Sequence, residues 1–151
     1  MNYNFVQSTL FFCIAGIFMP GFTAIGIFII QLLLTTTGIN CSVAWMVTWW
    51  IMAVGMVLLP LLFIRMLRRN PQQNQERLKT KHMFFNILEY TFLQAVLASF
   101  FTNSQTLCDR IDGQNGLVFA LTGWMALPVL LALSSLFHTT SKQAPILYEP
   151  K

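Results

Sequence analysis

The sequence predicts an all-α, polytopic membrane protein with four transmembrane helices arranged as two antiparallel hairpins. Three observations lead there. The 151 residues are 56% hydrophobic and only 9% charged, with a mean hydropathy of +0.63, a balance outside that of ordinary soluble domains. The charged residues gather between long apolar runs, as expected when a charge at a bilayer centre costs about 3 kcal/mol. Six of the nine Lys and Arg residues lie in one central stretch, RMLRRNPQQNQERLKTKH from Arg65 to His82, which divides the apolar segments into two pairs.

The first helix is expected over 10–34, a charge-free stretch giving roughly 37 Å of helix at 1.5 Å per residue. No Lys or Arg precedes it and no A-x-A cleavage site follows it, so it reads as a retained helix rather than a signal peptide. Pro20, followed by Gly21, should kink it by removing a backbone donor. Gly16, Pro20 and Ala24 recur every four residues, which suits close helix packing better than a broken-helix site. The stretch from Thr35 to Ser42 only turns the chain. It contains the formal glycosylation sequon Asn40-Cys41-Ser42, relevant only in a eukaryotic secretory setting.

The second helix is expected over 43–64. Trp45 is placed in the belt at the membrane boundary, where an indole has one apolar end and one donor. Trp49 and Trp50 lie a turn deeper, against core or lipid, and Pro60 should bend the cytoplasmic end. In the basic loop 65–82, Asn70-Pro71 is a helix start with Asn as cap, so the third helix begins ahead of its membrane part at 83–102. That part carries Glu89, the one acidic side chain within a span. His82, Asn86 and Glu89 are spaced i, i+4 and i+7 and share a helix face.

An outer loop follows with Cys108, Asp109, Arg110 and Asp112, whose spacing matches a calcium loop poorly and is explained by turn chemistry. The fourth helix, over 116–137, is charge-free, with a third kink proline at Pro128 and small residues at Gly116, Ala120 and Gly123. The tail 138–151 lacks periodicity and is expected to fray.

Orientation follows from the cations. The central loop and the tail together hold eight Lys and Arg, and the outer loops hold only Arg110, so both termini and the basic loop are assigned to the cytoplasm of a bacterial inner membrane. The formal charge of +4 comes chiefly from that loop and suits anionic headgroups. Without interleaved aromatic residues, the loop does not read as a nucleic-acid surface.

Glu89, with Asn86 or His82 as partner, is the candidate intramembrane site, because an ionisable residue in a span is a functional hypothesis by default. The competing reading has its carboxylate snorkel to the inner headgroups or pair with Lys81, His82 or Arg65. Cys41 and Cys108, both assigned outside, are a candidate disulfide joining the hairpins. Two isolated cysteines do not supply the relayed pairs a thiol oxidoreductase needs. No Gly-rich phosphate loop, metal-ligand cluster or Ser-His-Asp arrangement is present, so no catalytic residue, metal or cofactor is expected. The leading expectation is a non-enzymatic membrane protein acting through helix contacts with itself or a membrane partner, of the immunity, exclusion or accessory type. The alternative is a small oligomeric transporter, coupled to protons or cations through Glu89.

Overall fold

The computed structural model describes residues 3–20, 24–69, 74–101 and 113–143. The protein is all-α, and the described residues form five helices: α1 Phe5–Phe18, α2 Ala24–Thr36, α3 Cys41–Arg69, α4 Gln75–Ala98 and α5 Gly113–Gln143. Among the described residues there is no strand.

The single helix expected over 10–34 is two helices. Asn4 starts α1 early, its side chain accepting from the Gln7 N–H at 3.2 Å, and so satisfies one of the donors that a helix start leaves free. Met19 ends the helix at φ −128° and ψ 61°, its N–H still bonded to the Ala15 carbonyl. The residue before a proline is driven out of the α region by the ring, so Pro20 ends the helix where a kink was expected. α2 closes on a threonine run whose hydroxyls donate back to the Leu32, Leu33 and Leu34 carbonyls. Gly38, at φ +87°, then turns the chain through a left-handed conformation that a side chain would oppose.

The basic stretch 65–82 is mostly helix rather than loop. Arg65, Arg68 and Arg69 extend α3, while Arg77, Lys79 and Lys81 occupy the first turns of α4. Arg and Lys are good helix formers, and the cations closing α3 complement the negative end of its dipole, as Glu76 complements the start of α4. The α4 cap is Asn74, which accepts from the Glu76 N–H, and the helix ends at Ala98 rather than 102. The expected cap at Asn70-Pro71 lies outside the described residues. α3 runs through Pro60 and α5 through Pro128 without interruption. α5 also passes residue 137, because nothing breaks it before Pro145; residues 144–151 lie outside the described set.

α4 is the hub, packed against all four other helices. Three clusters mark levels along the bundle. Phe5, Phe63, Phe85 and Phe137 share one end, Cys13, Tyr90, Leu127 and Leu130 the middle, and Ile27, Trp45, Met52 and Ala98 the other end. These levels make α3, α4 and α5 successively antiparallel. They also show α1 and α2 together covering the length that α3 covers alone. Trp45, expected in the boundary belt, is instead buried in the third cluster, because α2 folds over the start of α3.

The surface is apolar and the interior partly polar. Phe11, Ile17, Leu32, Val57, Phe84 and Leu121 are exposed, while Thr48, His82, Asn86, Glu89, Gln94 and Ser134 are buried. α3 and the Ala120–Ser141 part of α5 are long and apolar enough to cross a membrane, with mean hydropathies of 2.3 and 1.8. The other two expected spans do not meet that test, since one is split at Pro20 and the other lies in the charge-bearing α4.

Candidate functional site: a buried polar layer between α1, α4 and α5

His82, Asn86 and Glu89 lie on the inward face of α4, as their spacing requires, and all three are at most 2% exposed. Facing them are Tyr3 and Thr9 from α1 and its lead-in. Tyr3 Oη lies 3.1 Å from His82 Nδ1, and Thr9 Oγ1 lies 3.3 Å from His82 Nε2. The Asn86 amide Nδ2 donates to Thr9 Oγ1 at 3.2 Å. A continuous hydrogen-bonded chain therefore runs from Tyr3 through His82 and Thr9 to Asn86, one helical turn from Glu89.

The His82 ring is enclosed by aromatic side chains. Phe5 meets it edge-on at a centroid distance of 5.0 Å, and Phe85 lies parallel at 6.3 Å. His82 is fully buried between two hydroxyls, a setting that suits the neutral imidazole, with one donor and one acceptor nitrogen. Either tautomer satisfies both neighbours, since the Tyr3 and Thr9 hydroxyls each donate or accept. Exchange between the tautomers reverses the direction of the chain.

Glu89 is 1% exposed, so its carboxyl has not snorkelled to an interface. Its Oε2 is buried with no hydrogen-bond partner, and among the described residues it forms no ion pair with Lys81, Arg65 or His82. Ser134 Oγ and His138 Nδ1, one turn apart on α5, are likewise buried and unpartnered. On α4 Glu89 falls between Phe85 and Leu93, and on α5 Ser134 falls between Leu130 and Phe137, residues of the same two clusters. The antiparallel packing of α4 on α5 thus brings the two unpartnered groups to one level. Orphaned polar atoms are uncommon in packed interiors and call for an explanation.

The sequence stripe found the α4 half of this layer and missed Tyr3, Thr9, Ser134 and His138. Thr9 and Ser134 were hydroxyls in charge-free runs, where helix hydroxyls usually bond to their own backbone. Only partners more than seventy residues away set Thr9 apart.

Cys13 is a buried free thiol, its Sγ 3.8 Å from the Leu127 carbonyl, and Cys41 is disulfide-bonded. Cys108, the partner expected for Cys41, lies outside the described residues, as do Asp109, Arg110 and Asp112. Among the described residues, no three His, Cys, Asp or Glu side chains are grouped to hold a metal ion. No protein-family model, curated protein or solved structure matches this chain, which leaves the polar layer itself to carry the functional reading.

Proposed function

We propose that the chain is a small multi-pass protein of a bacterial inner membrane that binds and releases a proton at Glu89, as a proton-coupled transporter does. The described helices make four rods, α1 and α2 together counting as the first. In this reading each rod crosses the bilayer, and the Arg and Lys ends of α3 and α4 face the cytoplasm with both termini. The apolar exterior and polar interior support that assignment, because lipid solvates the outward residues and neighbouring helices must satisfy the inward ones.

The observation that carries the reading is the buried Glu89 carboxyl with its unpartnered Oε2. Among the described residues neither a cation nor an N–H meets Oε2, and an uncompensated ion in an apolar interior is costly. The arrangement accommodates the neutral acid. Loss of its proton requires α1 or α5 to shift so that water or a donor reaches the oxygens. Proton binding and helix movement are thereby coupled, and the chain from Tyr3 to Asn86 supplies polar groups on the cytoplasmic side.

Reconstitution into vesicles under an imposed pH gradient tests this, with a trapped pH dye as readout. The expected result is a gradient-driven proton flux that Glu89→Gln abolishes and Glu76→Gln leaves intact. Equal flux through wild type and Glu89→Gln would rule the site out.

The expectation of a protein acting through helix contacts remains a second proposal. It is favoured by the exposed stripe Leu117, Leu121, Met125 and Val129 at helical spacing on α5. A stable oligomer in detergent that Leu121→Trp dissociates is the expected result. A wild-type monomer would argue against that reading.

A further inference from the structure

The outer face of α3 carries two shallow, open concavities of different chemistry that share Leu61. The apolar one, about 350 Å³, is lined by Trp50, Ala53, Val54, Val57, Leu58 and Leu61. The other, about 630 Å³, is lined by Leu61, Ile64, Arg65, Arg68 and Arg69. We propose that the two together form a groove that binds one anionic glycerophospholipid, its phosphate held by the three arginines and an acyl chain lying along α3 toward Trp50.

The dimensions fit. From Leu61 to Trp50 the helix rises roughly 16 Å at 1.5 Å per residue, close to half of a hydrocarbon core about 30 Å thick. A chain hanging from a headgroup at Arg65 ends beside the Trp50 indole. The charges fit as well. Arg65, Arg68 and Arg69 are spaced i, i+3 and i+4 and share one helix face, and all three are exposed. Among the described residues none of them has an ion-pair partner. The carboxylates there are Glu76 and Glu89, of which Glu89 is buried on α4. Three guanidiniums on one helix face, without a counter-ion among the described residues, suit an external anion.

Residue type separates this site from the positive charge that topology alone requires. Lys and Arg serve equally to hold a loop in the cytoplasm, and the start of α4 uses both, with Arg77, Lys79 and Lys81. The groove end of α3 uses arginine at all three positions. Its planar fork binds phosphate oxygens in pairs, whereas lysine offers a point charge.

The proposal rests on the membrane assignment but not on proton binding at Glu89. The full chain is purified in mild detergent from vesicles of equal phosphatidylglycerol and phosphatidylcholine, and retained lipid is read by native mass spectrometry. One phosphatidylglycerol per chain is expected to survive, with phosphatidylcholine absent. Combined Arg65→Gln, Arg68→Gln and Arg69→Gln should lower its retention about tenfold, or 1.4 kcal/mol. Removing the same charge from α4 by Arg77→Gln, Lys79→Gln and Lys81→Gln should leave it. Val54→Trp with Val57→Trp fills the apolar part at two exposed positions, keeps every charge, and should also displace the lipid.

Equal retention of both lipids, equal loss from the α3 and α4 charge variants, or a second copy of the chain in place of the lipid would each overturn the site. A chain that alkaline carbonate strips from membranes would instead defeat the membrane assignment. The two failures are therefore distinguishable.

Discussion

Around Thr9 two neighbours depend on one hydroxyl. Thr9 Oγ1 is within hydrogen-bonding distance of both His82 Nε2 and the Asn86 amide, so Thr9→Val keeps the shape and strands two buried groups. The cost is expected to be about 1–3 kcal/mol for each group left unsatisfied, read as a lower midpoint in a detergent melt. The spacing of His82, Asn86 and Glu89 revealed their shared face, because helical periodicity is local. Their partners on α1 and α5 come from far along the chain, and no local pattern marks them.

Helix identity was more legible than helix boundaries. Pro20 was visible as a disturbance, yet whether a proline kinks or ends a helix depends on the conformation of the residue before it. Here Met19 leaves the α region and the helix stops. The basic stretch was visible as charge, but its Arg and Lys residues are good helix formers, so α3 and α4 extend through most of it. Trp45 was misplaced because belt and core positions share the same composition, and only the fold of α2 over α3 decides between them. The contact of α3 with α4 depends on Gly55, where an added Cβ would lie 2.7 Å from the Phe92 ring. Gly55→Ala is expected to cost about 1–3 kcal/mol through overpacking, and adding Phe92→Leu should recover part of that loss. A double variant no more stable than Gly55→Ala would show that the ring is not the obstacle.

For the whole molecule, the sequence gives the all-helical class and the division around a cationic centre, because both follow from composition and charge placement. It does not give the least apolar helix, α4, as the hub, since that depends on which faces meet. Cys41 is disulfide-bonded. In intact spheroplasts, Cys41 should react with an impermeant maleimide only after reduction, and the buried Cys13 should stay unlabelled. Labelling only after permeabilisation would reverse the proposed orientation.

The proposed function stands on an exchangeable proton at Glu89 inside the bundle. Infrared difference spectroscopy during a pH titration reads it directly, since the carbonyl stretch of a neutral carboxylic acid is distinct from that of a carboxylate. A carboxylic-acid band that titrates reversibly in the wild-type protein and is missing from Glu89→Gln is expected. The same titrating bands in both proteins would contradict the claim that Glu89 binds and releases a proton.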